Sequence, residues 1–382
     1  MRLEEALCRQ PASILQSYQY LERQVNDGSP SGEHRTVSKL YSPIEGISCF
    51  PLPFVLIPFD KCEVIGNRPS TVAKVTIGLN EQRCDLKFFL HPDMANKLRT
   101  GKKDIGFQVF PTSSGRTVCR NDLDNPVYIK LHYDGMLGRI VRKMGREKVV
   151  ESIYSSEDLD RLSEKGIKNQ RFDFFPESLG LVSRIGEESF GFVVRDFNTR
   201  NQSETEIVPR VPWFSLFSVD RKRPNNPPLL KQWVESKVGR NVDKARDYVF
   251  ENFLQPVVDC YTFLSTKVGI VSDYNAQNLL IIPDANGDVD RIAFRDLHSF
   301  YLDSEIRRQN GLPVDCVRRI DTQSSDPEDA RYAYTLRSVY FDHKFSDYLL
   351  EPIVKSFSTS FGDNPEVLTD MTREYLLSTF RG

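Results

Sequence analysis

The chain has 382 residues, 39% hydrophobic and 27% charged, the balance of a soluble globular protein with a large core spread over two or three lobes. A formal net charge of −2 gives no basic field that would draw it to nucleic acid or to a membrane surface. The start MRLEEALCRQ has no apolar core of signal-peptide type, no stretch approaches the roughly 18 apolar residues of a membrane helix, and the seven cysteines (Cys8, Cys49, Cys62, Cys84, Cys119, Cys260, Cys316) form no CxxC pair, so a cytoplasmic protein with reduced thiols is expected and a metal cluster or disulfide framework is not.

In chain order, DGSPSGEH (27–34) reads as a polar loop. FPLPFVLIPF (50–59) is apolar but carries three prolines, which predicts an irregular or edge segment and not a central strand. Residues 71–135 read as strand-rich: VAKVTIGL, CDLKFFL, IGFQVF, TVCR and VYIKLHY are short, β-branched or aromatic, and separated by turn residues. FGFVVRDF (190–197) continues the pattern, and RKRPNNPPLL (221–230) marks a boundary. Beyond it the period becomes helical. Leu230, Trp233, Val234 and Val238 form one apolar stripe; Phe250, Phe253, Leu254, Val257, Tyr261 and Leu264 form another, and both predict helices facing a core. LLII (279–282), PDANGD and RIAF (291–294) predict a β-hairpin. Its aspartates do not make a calcium loop, because Val289 stands where that loop needs glycine.

Polar residues punctuate this scaffold. SDYNAQNLLI (272–281) sets Asp273, Asn275, Gln277 and Asn278 before a buried strand, where amides need hydrogen-bond partners from the protein or from a ligand. Hairpin pairing predicts that Asn278 and Asp296 meet at one end of the sheet, an oxygen-rich pair that suits Mg²⁺ and its phosphates and equally suits a strand cap. PTSSGRT (111–117) places hydroxyls and Arg116 on one turn. Lys130 follows in YIKLHY, and GRIVRK (138–143) adds Arg139, Arg142 and Lys143, the donor types that a triphosphate recruits. No GxxxxGK[ST] is present, since TGKK (100–103) lacks the upstream glycine.

The order of these clusters resembles the NRPS-independent siderophore (NIS) synthetases of the aerobactin-synthetase (IucA/IucC) type. The resemblance rests on His91-Pro92, Ser114-Gly115-Arg116-Thr117, Lys130-Leu131, Arg142, Asp273-x-Asn275-x-Gln277-Asn278 and Arg295-Asp296, and covers roughly residues 88–300. It implies an α+β protein of thumb–fingers–palm architecture: a shortened thumb-like region (1–88), strand-rich fingers that bind ATP (89–225), and a mostly helical palm with the 279–296 hairpin (226–382). It implies a ligase that adenylates a carboxylic acid with ATP and Mg²⁺, then passes the acyl group to an amine or alcohol, in siderophore-like or other specialised-metabolite biosynthesis. A homodimer is compatible with it. Carried over by position, Ser114, Arg116, Thr117, Lys130, Asn275, Gln277, Asn278 and Asp296 would hold ATP. Asp273, Asn278 and Asp296 would hold Mg²⁺; Arg142, Asn275 and His91 would meet the acid; Arg142, Asn275 and Lys130 would be catalytic, and Arg142 would open a helix.

The chain departs from the family pattern at three places. Asn275 stands for a histidine, Asp273 for a glutamate, and Gly138 for a small hydroxyl residue. A neutral amide cannot become cationic, so the departures predict an acid carrying fewer charges than citrate, anchored mainly by Arg142. Two other readings stay open: a non-catalytic nucleotide-binding homologue, and a kinase-like phosphotransferase, although no HRD, DFG or Gly-rich loop is present.

Overall fold

The computed structural model describes residues 1–27, 39–79, 85–97, 103–137, 140–185, 188–203, 206–314 and 318–380. Its framework is an α+β fold: a curled antiparallel sheet backed by helices, with a small second sheet around the predicted hairpin. The large sheet has eight strands, in the order Cys62–Ile65, Glu177–Ile185, Glu188–Asp196, Val127–Lys130, Thr117–Arg120, Asp104–Pro111, Phe50–Pro58 and Asp85–Phe89.

One expectation fails and one holds in part, each for a local reason. VAKVTIGL is not a strand; Thr71–Ile77 is a helix. Ser70 Oγ accepts a hydrogen bond from the Ala73 amide at 3.1 Å, Gly78 closes the end at φ +76°, and Ala73, Thr76 and Ile77 form its buried face. The caps at both ends override the β-branched composition. Phe50–Pro58, expected to be irregular or at an edge, is irregular but stands second from the edge. It changes partner midway: Phe50–Phe54 pairs with Asp104–Val109 across a bulge between Pro51 and Pro53, and Phe54–Pro58 pairs with Asp85–Phe89. Each half uses mainly one side for the ladder, which is how the prolines are tolerated.

The hairpin is present, with Leu279 opposite Phe294 and Ile281 opposite Ile292. It is flanked by Val211–Pro212 and, in parallel, by Phe172–Phe174. Both helical stripes are core. Leu229–Val238 buries Trp233, and the helical run from Val242 to Val268 buries Phe253, Leu254, Val257 and Leu264. That run contains Pro256, and the turn just ahead of it, Phe250–Leu254, widens to i→i+5 bonding, which accommodates a residue with no N–H to give. On the large sheet, the helix Arg146–Glu164 lies directly over Gly180 and Gly191, where any Cβ would collide with Val149.

The expected region boundaries do not coincide with these layers. Strands Phe50–Pro58 and Cys62–Ile65 belong to the same sheet as the expected fingers, and Phe172–Phe174 and Val211–Pro212 pair with the 279–294 hairpin expected to belong to the palm. The helix Pro11–Gln24 is a wedge between layers. Its Leu21 joins the helical core, while Leu15 and Tyr18 join Phe110, Tyr128, Phe197, Leu280 and Ile282 between the large sheet and the hairpin.

The wedge is fixed by a buried ion pair. Arg295 Nη1 donates to Glu22 Oε1 at 2.6 Å and to the Tyr18 hydroxyl at 2.9 Å; Nη2 reaches Ser113 Oγ at 3.2 Å, and Nε reaches the Gln277 carbonyl at 2.8 Å. Glu22 Oε2 accepts from the Ser113 amide at 2.7 Å. Burial alone would raise the Glu22 carboxyl, but Arg295 and Ser113 hold it below its usual value. Glu22→Gln leaves a buried guanidinium uncompensated, so a loss of about 3–5 kcal/mol is expected in urea unfolding. The pair stabilises fully above the ordinary carboxyl value of 4.5 and loses its contribution as pH falls through the lower folded value, so the mutant's deficit shrinks in acid. A deficit independent of pH would show that Glu22 contributes by packing alone.

Candidate functional site

The hairpin register sets Asn278 opposite Arg295, whose amide donates to the Asn278 carbonyl at 2.9 Å, and among the described residues no hydrogen bond joins the Asn278 and Asp296 side chains. Asp296 has φ +74°, the one non-glycine residue with positive φ among the described residues. That conformation is costly for an L-residue and turns consecutive side chains to different partners. Arg295 reaches Glu22, while Asp296 Oδ1 meets Lys130 Nζ, Arg195 Nη2 at 3.3 Å and His298 Nδ1 at 3.3 Å.

Lys130 ends its strand opposite Thr117, fully buried. Its ammonium also donates to His298 Nδ1 at 2.7 Å and lies 3.8 Å from Glu177 Oε1, which Arg195 Nη2 clasps at 2.6 Å. Two cations and two carboxylates thus alternate. Burial pulls Lys130 down to about 8 against the attraction of Asp296 and Glu177. Burial likewise pushes His298 down to about 4, which keeps the ring neutral and its Nδ1 able to accept. Burial acts to raise Asp296, but His298, Lys130 and Arg195 hold it well below the usual carboxylate range.

Around this quartet stands a ring of cations. Arg116, buried and lowered to about 10 by desolvation, donates Nη1 to the Arg142 carbonyl at 3.0 Å. Lys148, on the helix Arg146–Glu164, is lowered by burial and then by Arg116, Arg142 and Arg318, with Glu151 opposing. Arg318 lies 3.7 Å above the Tyr301 ring and donates to the Tyr301 hydroxyl and the His298 carbonyl. Among the described residues, none of Arg116, Arg142, Lys148 or Arg318 forms a direct ion pair with a carboxylate. Glu151 lies in the same field, its carboxyl raised by burial and lowered by Arg318 and Lys148, so four cations face one carboxylate and an excess of positive charge remains for an anion to offset.

The 272–278 strip alternates: Ser272, Tyr274, Ala276 and Asn278 are buried, while Asp273, Asn275 and Gln277 are half-buried on the other side. Asn275 Oδ1 accepts from the Gln277 amide at 3.1 Å and caps the turn Ala276–Asn278. Gln277 Nε2 donates to Ser113 Oγ at 3.1 Å, and Asn278 Nδ2 to the Asp273 carbonyl at 3.3 Å. Asp273 faces Lys344 at 3.5 Å; burial raises its carboxyl, Lys344 and Arg142 lower it, and Asp296 adds to the rise. Asn275, Gln277 and Asn278 are thus bonded within the protein, whereas Ser272 Oγ, Asp273 Oδ1 and the Tyr274 hydroxyl are buried with no hydrogen-bond partner among the described residues.

Ser114 sits half-buried at the tip of the 112–116 turn, its Oγ accepting from the Thr117 amide at 3.0 Å. Thr117 is buried, its carbonyl taken by Thr112. His91 is buried beneath this turn between Tyr41 and Tyr133; burial lowers it to about 4 against Asp93 and the Gly115 backbone. Arg142 does not open a helix: it follows the short strand Ile140–Val141, four residues ahead of Arg146–Glu164. Gly138 and Arg139 lie outside the described residues. Among the described residues, no three His, Cys, Asp or Glu side chains converge as metal ligands. Asp273 and Asp296 do feel one another, a tension that a divalent cation arriving with phosphates would relieve. No helix of the described residues is long and apolar enough to cross a membrane.

Glu177, Lys148, Arg195, His298 and Arg318 escaped the sequence reading. Arg195 lies inside FGFVVRDF, where a charged residue in an apolar strand was the available signal. Lys148 and Arg318 carry no local signal.

No protein-family model matches the chain, and no curated protein is similar enough in sequence to match. The fold is nonetheless that of the NIS synthetases, as the motif order implied. ATP-bound aerobactin synthetase IucA from a hypervirulent pathotype of Klebsiella pneumoniae superposes with a TM-score of 0.71 at 15% identity, over 99% of this chain and 73% of that one. Aerobactin synthetase IucC from the same pathotype gives 0.66 at 14% identity, over 99% and 73%. The petrobactin biosynthesis protein AsbB from Bacillus anthracis str. Sterne gives 0.67 at 13% identity, over 99% and 71%.

Removing one cation from the ring should cost the ligand-free protein little, because it relieves like-charge repulsion. Arg142→Ala and Lys148→Ala are expected to stay within about 0.5 kcal/mol of the parent in unfolding experiments. Each should lose several-fold of the stabilisation that pyrophosphate gives the parent. A large loss of stability with an unchanged pyrophosphate effect would make these residues structural.

Proposed function

We propose that the protein is an ATP-dependent carboxylate–amine ligase of the NIS-synthetase type, with the eight-stranded sheet acting as fingers and the hairpin-bearing helical half as palm. The observation that carries this reading is the ring of unpaired cations facing Asp296 in a fold shared with ATP-bound IucA. A carboxylate oxygen of the acid attacks the α-phosphorus of ATP, the bond to pyrophosphate breaks, and pyrophosphate leaves. The amine nitrogen then attacks the acyl carbon, AMP leaves, and the nitrogen's proton passes to solvent.

Arg116 and Lys130, with Ser114 and Thr117 on the same turn and strand, hold the phosphates. They meet charge that builds on the five-coordinate phosphorus and on the leaving pyrophosphate. Asp296, with Asp273 and Asn278 beside it, would hold Mg²⁺, which neutralises phosphate charge when bound. Asn275 and Gln277 keep the 275–278 turn in shape beside that group. Arg142 is the anchor of the acid, and His91 supports the turn that presents Ser114 and Arg116. A kinase-like reading finds no support in the fold comparisons, whose named synthetases join molecules.

Asp296→Asn is expected to lower ATP–pyrophosphate exchange by about 100-fold or more, since several kcal/mol of transition-state stabilisation go with the carboxylate. A folded Asp296→Asn protein with normal exchange would remove Asp296 from the site, and ADP as product would replace the ligase reading by a phosphotransferase. A screen of mono-, di- and tricarboxylic acids by the same assay should favour an acid with fewer charges than citrate. Arg142→Ala should raise the KM for that acid by about 10- to 100-fold, the loss of one charge-assisted contact. Citrate as the best substrate would refute the reading of Asn275 as a charge-lowering change.

A further inference from the structure

Glu151 lies on the helix Arg146–Glu164, half-buried, one turn beyond Lys148 and therefore on the same face. That helix packs against the turn Leu297–Ser299, which directly follows Asp296. The cations Arg318, Lys148 and Lys130 and the exposed anion Glu147 act on the Glu151 carboxyl, while His298 on the facing turn is neutral. Among the described residues, none of these groups hydrogen-bonds to Glu151 or forms an ion pair with it. The other carboxylates of the site each have a cation in place: Lys130 and Arg195 for Asp296, Arg195 for Glu177, Lys344 for Asp273. Burial keeps the Glu151 carboxyl above its ordinary value in spite of its three cations. A carboxylate that solvent can reach and that has no fixed partner is suited to take a proton from a ligand.

We propose that Glu151 receives the ammonium group of the second substrate and takes its proton before the nitrogen attacks the acyl carbon. This rests on the ligase reading and adds to it the residue that prepares the amine. An alkylamine has a pKa near that of lysine, about 10.4, so at neutral pH fewer than about one molecule in a thousand carries the lone pair that must attack. The surrounding charge also sets the order of binding. Before a phosphate-bearing ligand binds, Arg318, Lys148 and Lys130 oppose an ammonium. Once phosphate offsets those cations, Glu151 attracts it, so the amine follows ATP.

The protons and electron pairs balance. The ammonium gives one proton to Glu151, and the freed lone pair forms the bond to the acyl carbon. The bond from that carbon to the AMP oxygen breaks, and its electron pair leaves with AMP. The nitrogen releases a second proton to solvent and keeps the third as the amide N–H. Glu151 then returns its proton to solvent.

The test compares nucleophiles that draw on one acyl-adenylate, formed from ATP and the acid that gives the fastest pyrophosphate exchange. Hydroxylamine is a neutral base at pH 7, whereas n-butylamine and 1,4-diaminobutane are protonated. The ratio of alkyl amide to hydroxamate cancels any effect on adenylation. Glu151→Gln should lower that ratio about 100-fold or more at pH 7, and the deficit should shrink about tenfold per pH unit up to pH 9, as solution supplies free amine. Glu151→Asp should give an intermediate ratio. Glu147→Gln, which removes the same charge one turn away at an exposed position, should keep the parent's ratio. Equal losses in Glu147→Gln and Glu151→Gln, an unchanged ratio in Glu151→Gln, a deficit independent of pH, or hydroxamate without alkyl amide in the parent would overturn the proposal. Absence of exchange in the parent with every acid would end the ligase reading and this proposal with it.

Discussion

The buried Arg295–Glu22 pair is the joint on which the candidate site depends. Arg295 belongs to the hairpin, Glu22 to the N-terminal wedge, and Ser113, which bonds to both, to the turn between two strands of the large sheet. Three segments separated by up to 273 residues meet at one guanidinium. An isolated buried charge would be prohibitive, so the pair forms only when all three segments are in place. Asp296 follows Arg295 directly. Fixing Arg295 on the wedge and the 112–116 turn therefore sets where Asp296 meets Lys130, which stands opposite Thr117 at the end of that turn.

Beyond this joint the charges are arranged unequally. The Asp296–Lys130–Glu177–Arg195 quartet balances itself, whereas Arg116, Arg142, Lys148 and Arg318 do not. Three of the four are placed by something that carries no negative charge: a carbonyl for Arg116, a tyrosine face and hydroxyl for Arg318, a helix for Lys148. Neutral partners orient a guanidinium without cancelling its field, so the charge stays available to a ligand. Glu151, half-buried beside Arg318 and Lys148, offsets part of this charge.

How much of this the sequence disclosed follows from how local each feature is. The hairpin and its register were legible, because alternation and turn residues act over a few positions, but the side chains of Asn278 and Asp296 go to different partners. The apolar stripes of the helices were legible for the same reason. The segment Thr71–Ile77 misled, because β-branched residues outweighed a serine cap and a glycine whose significance lies in φ. The prolines of Phe50–Pro58 misled on position, because a strand that changes partner midway is a property of the sheet. Arg116, Lys130 and Asp296 could be found as a set through an ordered resemblance. Lys148 and Arg318 could not, since what places them is the packing of one helix over Gly180 and Gly191 and one tyrosine face.

The character of the site is correspondingly not set by any one motif position. Asn275 is neutral where the resembled family carries histidine, and its side chain caps a turn beside the Asp296 cluster. Taken alone, that change lowers the positive charge. Lys148 and Arg318 raise it again from 127 residues before and 43 residues after Asn275, positions with no counterpart in the motif order. His298, the imidazole that does stand in the cluster, is held neutral by burial beside Lys130 and so serves as an acceptor that fixes the lysine. Positive charge that the 272–278 strip lacks is thus supplied by Lys148 on the helix Arg146–Glu164 and by Arg318. Such a placement keeps the surroundings of Asp296 cationic while setting where a ligand can place its own charge.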